Sequence, residues 1–128
     1  DEDARAFEPL SKAYSIPKDA PGRDVTMEKC LGAAAAVPME ILELSCRAIE
    51  LQEGFAKMGS TLAVSDAGTG AAFCRAAMYG AALNVRVNTK LMKDREEAGR
   101  LNGRAVELME EYRKIADKTY ENVCGRLK

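Results

Sequence analysis

The 128 residues predict an all-α fold, an antiparallel helical bundle with long helices that forms a dimer. Three observations carry this expectation. Apolar residues recur at spacings of three and four along most of the chain. No stretch shows the strict alternation of a half-buried strand. The 47% of hydrophobic residues includes 21 alanines, so the helix faces are small, backbones approach closely, and surface is left over for a partner to complete. A chain of this length builds one core, so residues 1–128 read as a single domain, with no internal repeat.

From Asp1 to Tyr14, Ala6, Phe7, Leu10, Ala13 and Tyr14 form one amphipathic stripe. The helix is expected to stop at Ile16-Pro17, because the residue before a proline is pushed out of the α region. Residues 15–23 follow as a loop rich in turn formers. Asp24 is the expected cap of a second helix, with the stripe Leu31, Ala34, Pro38, Ile41, Ser45, Ala48, Gln52 and Phe55 running to a C-terminal Gly59, and with a kink or break at Pro38. After a loop at 60–64, Ser65 is the expected N-cap of a third helix reaching about Met92. Gly68, Gly70 and Gly80 lie inside that helix, and each costs roughly 1 kcal/mol relative to alanine, which calls for close approach by a neighbour. Asp94 opens a fourth helix with the seam Leu101, Ala105, Leu108, Tyr112, Ile115, Thr119 and Val123.

Composition narrows the function classes. There is no Trp, only 5% of residues are aromatic, and nineteen bases stand against twenty acids, so neither a stacking platform for single strands nor a basic field for nucleic acid exists. Cys30, Cys46, Cys74 and Cys124 are scattered and the chain holds no His, which argues against a metal site and for four reduced core thiols. No apolar run approaches a membrane span, and the start at Asp1-Glu2-Asp3 has no leader character, so the expected location is cytoplasmic, with no membrane partner.

Without His, any proton transfer falls to carboxylates, Lys, Tyr or amides. Ser65-Asp66-Ala67-Gly68 puts N–H groups and a carboxylate at a helix start, either as an ordinary cap or as a polar ligand site. Asn84 and Asn88, at i and i+4, share one face of a small-residue helix; they pair either with a heterocycle edge or with a neighbouring helix. Arg86 points elsewhere by about half a turn and suits an anionic group or a surface ion pair. Asp1, Glu2 and Asp3 at a helix start read by default as dipole partners, and Lys18 as a solvated loop lysine.

Five pieces then occur in order: Asp-Glu-Asp-Ala-Arg-Ala-Phe (1–7), Ile-Pro-Lys (16–18), Ala-Val-Pro (36–38), Val-Ser-Asp-Ala-Gly (64–68) and Gly-Ala-Ala-Leu-Asn-Val-Arg-Val-Asn (80–88). Together they resemble the formiminotetrahydrofolate cyclodeaminase / methenyltetrahydrofolate cyclohydrolase family, over essentially the whole chain. The resemblance implies an all-α homodimer with a folate cleft near the subunit contact. It implies closure of 5-formiminotetrahydrofolate to 5,10-methenyltetrahydrofolate with release of ammonia, or alternatively hydrolysis of the methenyl compound to 10-formyltetrahydrofolate. A tetrahydrofolate derivative would be the substrate, without a metal.

The resemblance also assigns roles. Asp3 matches the family's catalytic carboxylate and would act as general base. Lys18 would lie close to the site, Asp66 would shape the pocket, and Asn84 and Asn88 would contact the pterin or a neighbouring helix. Lys18 and Arg86 would suit the anionic glutamate tail of a folate, including a polyglutamylated one. The family's domain begins with a further Pro-x-Pro-Gly-Gly-Gly-Ser stretch that does not occur here, so these residues are expected to represent about its last two thirds. A non-catalytic helical module that binds folate or a partner enzyme is the alternative from another class.

Overall fold

The computed structural model describes residues 1–61 and 63–128; Leu62, inside the expected 60–64 loop, lies outside the described residues. Four helices run in order: α1 (Glu2–Tyr14), α2 (Arg23–Met58), α3 (Val64–Thr89) and α4 (Arg95–Arg126), with no strand among the described residues. Short connections make successive helices antiparallel neighbours. α3 packs against both α2 and α4, whereas α1 lies on α2 alone.

Local chemistry explains the starts of α4 and α2. α4 starts at Asp94, whose carboxylate accepts from the N–H of Glu97 at 3.0 Å, as the sequence suggests. The start of α2 differs from expectation: the chain turns in at Gly22, whose φ of 76° suits glycine, and Asp24 lies inside the first turn, paired with Lys93 at 2.6 Å. Nor does Ser65 cap α3, because the helix begins two residues earlier than that cap would place it, at Val64 behind Ala63. α3 ends at Thr89, three residues before Met92.

α2 runs unbroken through Pro38, and its buried residues overlap the expected stripe only in part. Leu31, Ala34, Pro38 and Ser45 are buried, but Ile41 and Phe55 are exposed; Leu42, Cys46 and Ile49 take the inner positions. A strict three-four row has a period of 3.5 and drifts about 20° per heptad on a 3.6-residue helix, so by Phe55 it has walked off the core. The α4 seam holds over its length, with Leu101, Ala105, Leu108, Thr119 and Val123 buried.

Leu10, Leu42, Ile49, Met78 and Val85 centre the main core, each 1% exposed or less. Full burial of one such side chain contributes about 1.5–3 kcal/mol, and truncating Leu42 to Ala costs about 2–5 kcal/mol. A second, smaller cluster of Ala56, Val64, Ala67 and Val123 closes the far end of the bundle. Gly68 lies there against Val123, and Gly70 against Gln52, so two of the three α3 glycines serve close approach. Gly80 does not: it faces open space.

The expectation of four core thiols fails at Cys124. Cys46 is buried and Cys30 and Cys74 are half-buried, but Cys124 sits on the outer side of the last turns of α4 and is exposed. Burial, with Glu111 and Glu50 nearby, pushes the Cys46 thiol up to about 11, and burial also raises Cys74. Neither is poised as a thiolate.

Candidate functional site

Two sets of contacts orient α2 and α3. Asn88 touches Ala34 and Gly70 meets Gln52, so the α2 row through 34, 45 and 52 faces α3. Glu50 accepts a hydrogen bond from the hydroxyl of Tyr112, so the opposite side of α2 faces α4. Ile41, Leu44, Leu51 and Phe55 lie just outside the α3-facing row, on the flank away from α4, and are 41–61% exposed. On α3, Phe73, Leu83 and Val87 stand exposed as well, at 73%, 66% and 54%. The α2–α3 pair therefore presents a contiguous band of large apolar side chains, with Ala76, Ala77 and Gly80 at its middle. A band of this kind marks an interaction surface, whereas single exposed apolar residues do not.

Asp3 comes into this region from α1. Because α1 folds back along α2, its first turn meets the middle of α2, and Asp1, Glu2 and Asp3 together with Val37, Glu40, Ile41 and Leu44 line a recess of ≈ 320 Å³. That lies at the lower end of small-molecule sites, about 300–1,000 Å³. The floor is aliphatic and the rim carries four carboxylates, so the recess suits a flat group bearing positive charge and places proton acceptors around it. All four carboxylates are exposed. The floor and Glu40 were not singled out in the sequence, where Ile41 read as core; its exposure is the signal that a fixed-period stripe hides.

Asn84 is exposed, four residues before Asn88 on α3. Asn88 is half-buried, and its amide nitrogen donates to the carbonyl of Ala34 at 3.3 Å and to that of Asn84 at 3.0 Å. Since Ala34 lies within a turn of Val37, both asparagines stand level with the Asp3 recess. The other expected site residues are not gathered there. Asp66 is exposed at the opposite end of α3, about 27 Å from Asn84 at 1.5 Å of rise per residue. Lys18 is exposed in the α1–α2 loop, more than about 16 Å from Asp3 along α1. Arg86 is rotated about 200° round α3 from Asn84 and faces solvent.

Residues 1–107 match the formiminotransferase-cyclodeaminase family, which is most of the chain. The chain belongs to that family. It is 30% identical over 130 aligned residues to the methenyltetrahydrofolate cyclohydrolase of Methylorubrum extorquens, covering 98% of this chain and 62% of that protein. It is 30% identical over 115 residues to the formimidoyltransferase-cyclodeaminase of Sus scrofa, covering 87% of this chain and 21% of the pig protein. Among solved structures, formiminotetrahydrofolate cyclodeaminase from Thermotoga maritima superposes with a TM-score of 0.73 at 27% identity, over 98% of this chain and 59% of that one. The chain thus spans less than two thirds of the relatives it matches. Membership accounts for the order of the five sequence pieces and for the all-α fold.

Among the described residues no three His, Cys, Asp or Glu side chains converge to hold a metal ion, and no helix is long and apolar enough to cross a membrane.

Proposed function

We propose that this member of the formiminotransferase-cyclodeaminase family acts on the one-carbon unit between N5 and N10 of tetrahydrofolate, with Asp3 as the proton-transfer group. The observation that carries the proposal is the recess at Asp3, with its aliphatic floor and acidic rim. A 5,10-methenyl bridge is an amidinium cation on a flat heterocycle, and both features suit that lining.

In the hydrolytic direction, water adds to the bridge carbon while Asp3 takes one of its protons; the carbinol then collapses, its hydroxyl proton passing to N5 as the bond from carbon to N5 breaks, to leave 10-formyltetrahydrofolate. In the deaminating direction, the N10 lone pair closes on the carbon of the protonated formimino group, Asp3 takes the N10 proton and returns it to the departing nitrogen, and the carbon–nitrogen bond breaks to release ammonia and leave the methenyl cation. A positioned general base contributes about 10²–10⁴-fold to such steps. The M. extorquens relative, at 30% identity, favours hydrolysis and the T. maritima likeness, at 27%, favours deamination, each over 98% of this chain. The methenyl compound has a distinct near-ultraviolet band. Loss of that band from methenyltetrahydrofolate supports hydrolysis, and its appearance from 5-formiminotetrahydrofolate with one equivalent of ammonia supports deamination. A folate-binding module without chemistry would bind either compound and change neither.

Asn84, with a free amide level with the recess, is assigned to the pterin edge. The apolar band is assigned to a second copy of the chain. A two-fold axis near Ala77, midway between 66 and 88, would bring Asp66 of one copy level with Asn88 of the other, which reconciles Asp66 with a shared site. Lys18 and Arg86, being solvent-facing cations, are assigned to the glutamate tail, single or polyglutamylated. Sedimentation at micromolar concentration tests the pairing: a strict monomer removes Asp66 from the site.

A further inference from the structure

We infer that Asn88 is a positioning residue whose side-chain amide replaces the backbone hydrogen bond that Pro38 removes from α2. In an α-helix the N–H of residue 38 would donate to the carbonyl of residue 34. Proline has no N–H, so that carbonyl loses its partner. Ala34 is 4% exposed and out of reach of bulk water, and a buried carbonyl left unpaired is costly. The carbonyl is nonetheless satisfied, by the Asn88 amide nitrogen at 3.3 Å from the neighbouring helix. Of all the carbonyls that α2 presents to α3, the one Asn88 reaches is the one that its only internal proline orphans.

The second Asn88 amide hydrogen is also engaged, on the carbonyl of Asn84 one turn back at 3.0 Å. Both donors are therefore bound to main chain, one on each helix, and only the side-chain oxygen is left, as an acceptor. The structure thus separates two asparagines that the sequence offers as equivalent: Asn84 has a free amide, while Asn88 ties α3 to α2. The tie lies at the edge of the recess. Val37, Ile41 and Leu44, which form its floor, begin one turn beyond Ala34 on α2, and Asn84 stands one turn before Asn88 on α3. The bond consequently sets the register of Asn84 against the recess floor. This last step rests on the proposed folate chemistry; the hydrogen-bond replacement does not.

A double-mutant cycle tests the replacement without any ligand. Asn88→Ala is expected to lower Tm by about 4–8 °C, because it strands the Ala34 carbonyl. In a Pro38→Ala background residue 38 regains its N–H, the carbonyl is satisfied within α2, and Asn88→Ala should lower Tm by less than half as much. An equal drop in both backgrounds overturns the inference. Should Asn88→Ala not fold alone, folding of the double variant supports it and failure of the double variant counts against it. Turnover supplies the second readout. Asn88→Ala should raise KM for the folate with little change in kcat, and adding Pro38→Ala should return KM toward the parent value. A direct ligand contact by Asn88 would leave KM equally high in both backgrounds. If the parent protein turns over neither folate, the proposed function fails, while the Tm cycle still decides the role of Asn88.

Discussion

The three glycines of α3 should respond to the same substitution in three ways. At Gly80 an added Cβ meets nothing within 4 Å, so Gly80→Ala should stabilise the isolated chain by about 1 kcal/mol, the helix-propensity difference. At Gly70 the new Cβ would lie 2.6 Å from the Gln52 amide end, but that group ends a flexible side chain and can rotate away, leaving the change near neutral. At Gly68 the neighbours are Val123 Cγ1 at 2.9 Å and Cβ at 3.1 Å. Val123 is 3% exposed and β-branched, so it has essentially one helical rotamer and no room to move. Overpacking there costs about 1–3 kcal/mol, and after the propensity gain the net loss is about 0–2 kcal/mol. Gly80→Ala and Gly68→Ala should therefore differ by about 1–3 kcal/mol in urea unfolding with unchanged m-values. Equal midpoints, or a less stable Gly80→Ala at low protein concentration, would refute the packing argument. On the proposed pairing of two copies through the apolar band, the Gly80→Ala advantage should shrink at high concentration, where the new methyl would meet the partner.

Two further outcomes follow from contacts away from the recess. Glu28 accepts from the N–H of Lys93 at 2.7 Å and of Asp94 at 3.0 Å, clamping the α3–α4 connection to α2, so Glu28→Gln should lower stability by about 1 kcal/mol in chemical denaturation. The hydrogen bond to Glu50, together with burial, pushes the Tyr112 phenol up to about 12. A raised folded-state pKa means that the stabilisation is complete below the unfolded value near 10 and is lost as pH rises towards 12. In an ultraviolet titration Tyr112 should give a late-ionising phase, and Tyr112→Phe should remove that phase and flatten the alkaline loss of stability.

α1, α2 and α4 were legible in the sequence through apolar residues spaced by three and four, with Asp94 the clearest end signal, whereas α3 was legible only as a run of small residues and neither of its expected ends held. The wrong boundaries have local causes: Gly22, through its left-handed φ, displaces Asp24 as the start of α2, and Ala63 precedes Ser65 at α3. Periodicity could not tell Ile41 and Phe55 from core residues, since it marks a helix face without saying what covers it. Asp3 was singled out only through family resemblance, because a carboxylate in a first helical turn has an ordinary explanation of its own. Its surroundings, Val37, Glu40 and Leu44, became visible once α1 was seen to fold back onto α2. Lys18, Asp66 and Arg86, grouped with the site by resemblance alone, stand apart from the recess in the single chain: Lys18 lies in the α1–α2 loop, Asp66 at the far end of the 26-residue α3, and Arg86 on another side of that helix from Asn84.

The most direct measurement is the near-ultraviolet methenyl band followed with parent protein and with Asp3→Asn, an isosteric change at an exposed position that should cost no more than about 0.3–1 kcal/mol, the contribution of one first-turn carboxylate. If Asp3 is the general base, the parent turns over a methenyl or formimino folate and the variant loses about 10²-fold or more of that rate. Equal rates for the two proteins would contradict it.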